Sequence, residues 1–292
     1  MFELVIGILF PVFFLVMIGY VIGRAINPDF APINRLNIDF FLPALVFSSL
    51  GTMPLDLQQV PLLMAALVSI FVPLVVMWPL CRYFGLRFKT WTPPHMFRNS
   101  GNLAIPLFTY TFGSQAVSSA VLLFVISSCL HVSFGLMIMS QGNPIKHILK
   151  TPTFLATLLA LALNLSGIGL WAPLYEGTHL LGQAAVPIML LSLGSQMKNM
   201  RWTGLRIGLL CTAQSLLTGA IAFLLIDTFI ELPTLQRQMM VLFTMLPPAV
   251  MNYLFAERMD NEPDKVAAMV LFGNFFGLLT LPLLLTLALS LG

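Results

Sequence analysis

Thirteen of the fourteen lysine and arginine residues fall in alternate gaps between long uncharged stretches. The basic gaps hold Arg24 and Arg35; Arg82, Arg87, Lys89 and Arg98; Lys146 and Lys150; Lys198, Arg201 and Arg206; and Arg258 and Lys265. The gaps between them hold only Arg237. Short loops rich in Lys and Arg stay on the cytoplasmic side of a bilayer. The alternation therefore predicts a chain threaded back and forth through a membrane, its basic loops cytoplasmic.

Composition agrees. The chain is 58% hydrophobic and 9% charged, where a soluble domain carries about a quarter charged residues. The net charge of +3 lies in short loops, so it predicts topology rather than a nucleic-acid face. Cys81, Cys129 and Cys211 lie in or beside apolar segments without paired spacing, which argues against a disulfide framework and a metal site. No cofactor is expected. Glu3 replaces the basic start of a cleaved leader, and Leu4–Gly23 is 20 residues, long enough to span.

The uncharged runs 4–23, 57–81, 151–175, 177–197, 207–226, 238–256 and 266–292 each fit one helix. The run 99–145 is too long for one pass and divides at Gly113-Ser114-Gln115. A further helix, polar in its first turns, covers roughly Pro32 to Leu50. The expectation is an all-α polytopic membrane protein of ten transmembrane helices, with both termini outside the cell (inner) membrane. Pro43 matches Pro187 and Pro106 matches Pro247 at nearly one spacing, which suggests duplication. An odd number of helices per copy inverts the second one. The reading is two inverted five-helix repeats, 1–140 and 152–292, joined by a cytosolic linker 141–151, a plan that places a transporter's site where the repeats meet.

Two helices are poor material for continuous rods. Helix 4 contains Asn99-Ser100-Gly101-Asn102 and then Pro106, which lacks an amide and clashes one turn back. Helix 9 contains Pro247-Pro248, with Asn252 one turn later. Unwound backbone at membrane depth persists only where protein or a wet cavity satisfies it. If helices 4 and 9 cross, two half-helix amino termini converge, and their partial positive charge suits a carboxylate.

Asn99-Ser100-Gly101-Asn102-Leu103-Ala104-Ile105-Pro106-Leu107 resembles the Asn-x-Gly-x-x-x-Ile-Pro-Leu element of the auxin efflux carrier family. Leu246 to Glu257 resembles that family's second crossover segment, and Leu279-Thr280-Leu281-Pro282-Leu283 its last helix. The resemblance implies a fold related to bile acid–sodium symporters, an elevator-type cycle and a homodimer. It also implies a small organic anion as substrate, such as malate, malonate or an auxin-like carboxylate. By motif position it places Asn99, Pro106, Pro247 and Asn252 at the crossover. The family commonly has a small residue in place of Arg98 and an apolar one in place of Asn102.

The binding candidates are thus Asn99, Ser100, Gly101, Asn102, Pro106, Pro247, Pro248 and Asn252. Four more residues are candidates for coupling or for lining a path. Arg98 is read either as an attractor of the anion or as a snorkelling topology charge. Asp39 is read as a surface partner of Arg35 or as part of a proton relay, and His131 as a buried neutral group or a proton carrier. Ser192 lines a path or packs with Gly194 and Ser195. No phosphate-cradling glycine loop is present, so the function expected is secondary active transport, with sodium or proton coupling open. The alternatives are a non-transporting sensor or scaffold and an intramembrane enzyme. The enzyme lacks a zinc motif, an aspartate pair or a separately held base to support it.

Overall fold

A computed structural model describes residues 2–52, 59–139, 152–199 and 202–292, and these are helical apart from short connections and one isolated antiparallel bridge. Helix α1 (Phe2–Ala25) is followed by α2 (Ala31–Leu36), which passes through a π-helical turn at Asn37–Phe41 into α3 (Leu42–Thr52). Then come α4 (Val60–Phe84) and α5 (Phe88–Met96), and a second π turn (Ser100–Ala104) opens α6 (Ile105–Phe112). Helix α7 (Val117–Leu130) runs through a third π turn (His131–Gly135) into α8 (Leu136–Met139). The remainder comprises α9 (Pro152–Leu165), α10 (Ala172–Gln183), α11 (Ala185–Gln196) and α12 (Leu205–Phe229). It closes with α13 (Thr234–Thr244), α14 (Met251–Arg258) and α15 (Pro263–Leu289).

Four stretches, 60–84, 172–196, 202–229 and 263–289, are long and apolar enough to cross a membrane by themselves. Their outward faces carry large apolar side chains such as Val75, Leu224 and Leu283, more than 60% exposed, as suits a surface facing lipid. The chain turns at Gly113, where φ is +77°, as the sequence predicts between helices 4 and 5. The expected linker 141–151 lies outside the described residues.

The start of helix 4 needs correction. The cluster Arg87, Lys89 and Arg98 reads as loop, yet helix begins at Phe88 and tolerates Pro93 and Pro94. Only Arg87 and Lys89 lie at its mouth, and Arg98 is carried inward by α5.

Two groups of helices pack side by side. One holds α1, α3, α9, α10 and α11; the other holds α4, α5, α12, α13 and α15, with α7 leaning on both. Within the first group α1 and α11 approach at backbone distance. A Cβ on Gly194 would strike the Val16 carbonyl, and one on Gly19 the Leu191 carbonyl. Gly194 therefore serves close packing, which in lipid replaces the hydrophobic effect as the force between helices. Its neighbour Ser192 donates to Asn34 Oδ1. The Arg35–Asp39 pair is a one-turn surface contact at 3.5 Å.

On the side of the basic loops, the entry to α5 is clasped to the entry to α15. Asp260 and Glu262 both adopt positive φ, a conformation costly for side-chain-bearing residues, and they bracket Asn261. Asn261 Nδ2 donates to the Lys89 carbonyl at 3.0 Å, and Thr90 Oγ1 donates to Glu262 Oε2 at 2.7 Å. Lys265 and Arg87 complete the shell of Glu262 at 2.5 and 4.0 Å. Glu262 is thus a structural tie. Burial alone would raise its carboxyl, but Lys265, Thr90 and Arg87 together hold it below the ordinary value of 4.5.

Gly194→Ala is expected to lower stability by about 1–3 kcal/mol, because the obstacle is backbone that cannot rotate away. Gly7→Ala, with nothing within 4 Å of the new atom, should be silent. Thermal unfolding in detergent micelles checks both. Glu262→Gln should destabilise the protein at neutral pH. Because the folded carboxyl is the more acidic, the difference from wild type should shrink as pH falls below about 4.5 through the folded value. A difference that holds constant down to pH 3 would exclude an ionised tie.

Candidate functional site

The two interrupted passes meet at their interruptions. Phe97 is extended (φ −106°, ψ 94°), and Arg98 pairs with Pro248 as an antiparallel bridge. Asn99 N–H donates to the Pro247 carbonyl at 2.8 Å, and Ala249 N–H donates to the Phe97 carbonyl at 3.0 Å. Each break supplies the partners that the other lost. A buried backbone group left bare costs about 1–3 kcal/mol, and this crossing satisfies four of them without water.

The first break lies upstream of where the sequence places it. Gly101 and Asn102 belong to the π turn, and Pro106 stands in the first turn of α6, where a missing amide costs little. In the second pass Pro247 and Pro248 do lie within the break. Pro106 and Pro247 are therefore not equivalent backbone positions, and their matched spacing does not pair the two breaks.

Side chains at the crossing alternate in direction, as extended backbone requires. Phe97 faces His131, their rings stacked 4.2 Å apart, with Phe255 edge-on to His131 at 4.9 Å. Gly135, next in the π turn, leaves the room this stack needs: a Cβ there would lie 2.8 Å from His131. Arg98 points the other way and donates to the Leu246 carbonyl (2.9 Å) and to Thr218 Oγ1 (3.0 Å). It is 2% exposed, so it is not a snorkelling surface charge. Two carbonyl and hydroxyl acceptors inside the protein hold it away from the interface.

The asparagines hold backbone. Asn252 Nδ2 donates to the carbonyls of Phe97 and Ala249, both at 2.9 Å. Asn99 Nδ2 donates to Asn274 Oδ1 at 2.6 Å, and Asn274 Nδ2 donates in turn to the carbonyls of Pro248 and Val270. Asn252 Oδ1, His131 Nε2 and Arg98 Nε are buried without a hydrogen-bond partner, and His131 and Asn252 face each other. Ser100 is buried, while Gly101 and Asn102 are half-buried.

Behind the second break, Gly273 and Gly277 of α15 make a smooth face for the prolines. A Cβ on either would come within 2.9 Å of Pro248 or Pro247. A cleft at this contact, lined by Thr212, Ser215, Pro247, Pro248 and Thr280 among others, holds about one water. The breaks meet as the sequence predicts, but the crossing is packed tight.

The structure thus brings Asn99, Ser100, Pro247, Pro248, Asn252, Arg98 and His131 together and leaves Asp39 and Ser192 elsewhere. Sequence reasoning missed Phe97 and Thr218 and did not place Asn274, an interhelical hydrogen-bond partner, at the crossing. The four-residue spacing of Gly273 and Gly277, flanking Asn274, was the available signal that this helix face meets backbone. Among the described residues no group of His, Cys, Asp or Glu could hold a metal ion.

Among the described residues, an all-helical fold with long apolar spans and two broken helices crossing inside it defines a polytopic membrane protein. Residues 4–148 and 143–285 match the model of the membrane transport protein family, and the chain belongs to that family. An "uncharacterized transporter" of Methanothermobacter thermautotrophicus is 28% identical over 293 residues, covering 92% of this chain and 93% of that protein. The family is the one the crossover motifs resemble, and it is a family of transporters, not enzymes.

Asn274→Leu should lower the melting temperature clearly, since it strands Asn99 Nδ2 and the Pro248 carbonyl at about 1–3 kcal/mol each. Melting at the wild-type temperature would show that this link contributes nothing.

Proposed function

We propose that the protein is a secondary carrier of small organic anions, with the substrate bound at the helix crossing. In this reading the helices pair into ten passes. They run α1, α2–α3, α4, α5–α6, α7–α8, α9, α10–α11, α12, α13–α14 and α15, arranged as two inverted halves (1–140 and 152–292) in the cell membrane, both termini outside. The observation that carries it is the mutual pairing of Phe97–Asn99 with Pro247–Ala249.

Two half-helices begin at that crossing, the segment from Ser100 into α6 and α14, and their amino termini offer partial positive charge where the chains meet. A carboxylate such as malate, malonate or an auxin-like acid suits this field. The family resemblance supports an elevator-type cycle, with the crossed passes α5–α6 and α13–α14 as the mobile bundle. The crossing admits little beyond one water, so binding requires the helices around it to open. Sodium or proton gradients are candidate energy sources, and the family resemblance supports a homodimer.

Purified protein in liposomes is expected to take up labelled malonate, malate or indole-3-acetate. Asn252→Ala and Asn99→Ala should each lower uptake about tenfold or more. The reading fails if variants that fold normally transport as wild type. Binding without flux under any gradient would point to a sensor instead.

A further inference from the structure

We propose that Arg98 is a fixed countercharge for one carboxylate at the crossing, so that the anion binds without a co-bound sodium ion; this rests on the carrier reading above. Arginine keeps its charge in proteins, and Arg98 is 2% exposed. Its acceptors, the Leu246 carbonyl and Thr218 Oγ1, are both neutral. None of the ion pairs among the described residues involves it. The titratable groups that reach it electrostatically are the His95 imidazole and the Cys211 thiol, and neither is a carboxylate. A buried cation without an anion is costly, and in membrane proteins such a residue marks a ligand or ion path.

A purely structural account covers only part of this. Leu246 lies just past the carboxyl end of α13, and a helix end supplies about half an elementary negative charge. The remainder is unopposed. Nε–H has no partner, and a carboxylate approaching that edge of the guanidinium would form the charge-assisted bond that arginine geometry favours. The same charge would repel a sodium ion bound nearby in a medium of low dielectric. A carboxylate therefore brings the crossing towards neutrality, where a cation would raise its charge further.

The test is equilibrium binding of labelled malonate and labelled indole-3-acetate to purified protein in nanodiscs, in sodium chloride and in choline chloride. Indole-3-acetamide serves as the uncharged competitor. Wild type should bind a carboxylate equally in both salts and prefer indole-3-acetate to its amide about tenfold or more. Arg98→Lys should keep that preference even at reduced affinity, and Arg98→Gln should abolish it. Unchanged preference in Arg98→Gln, or its loss in Arg98→Lys with intact melting, overturns the proposal. So does wild-type binding that disappears in choline, an outcome that needs no variant. If wild type binds neither probe, or binds the amide as well as the acid, the organic-anion reading itself fails.

Discussion

The architecture depends on one exchange of backbone hydrogen bonds. Inside a bilayer an unwound segment has no solvent to turn to, so a broken helix is viable only beside something that replaces its lost partners. Here that something is a second broken helix. Phe97 and Asn99 use the carbonyls and amides that the prolines of the other pass released, and Pro247 and Ala249 use theirs. Neither interruption is stable without the other. The elements around them are arranged to keep the pair aligned: Asn252 pins the Phe97 carbonyl, Asn274 bridges Asn99 to Pro248, and Gly273 and Gly277 allow α15 to lie flat on the prolines.

Other parts of the second helix group extend this alignment to the membrane surface. The clasp between Lys89–Thr90 and Asn261–Glu262 joins the entry of the first broken pass to the turn that follows the second. The crossing is therefore tied at its centre by backbone and at its edge by side chains. Two links of this kind hold α5 and α13–α15 in one register. The α1–α11 seam has the same logic in the other group, where glycines remove the side chains that would hold the backbones apart.

Much of this is legible in the sequence because membrane physics leaves few options. Long apolar runs give the four helices 60–84, 172–196, 202–229 and 263–289, and Gly113 gives the turn between α6 and α7. Pro247-Pro248 marks the second break, since two adjacent residues without amides cannot continue a helix at depth. The first break is less legible. Pro106 draws attention, yet a proline in a first turn is harmless, and the extended residues are Phe97 and Arg98, neither of which carries any local signal. Their conformation is imposed by the partner segment, a tertiary cause that no local pattern encodes. Arg98 is misleading for a related reason: a basic residue close to Arg87 and Lys89 reads as loop, and only the helix through Pro93 and Pro94 shows that α5 carries it about nine residues inward.

The chemistry at the crossing is sparser than its polar sequence suggests. Asn99, Asn252 and Asn274 have their amide donors committed to other groups of the protein, so their first duty is to hold backbone rather than a solute. What is left over is specific: an acceptor on Asn252, one ring nitrogen of His131 between two phenylalanines, and one N–H edge of Arg98. The first two face each other across the crossing and can satisfy each other by a small shift. The arginine has no such recourse, because among the described residues no carboxylate pairs with it. Polarity at this site therefore resolves into a neutral framework and one unbalanced charge, and the unbalanced charge is what gives an anion a reason to enter.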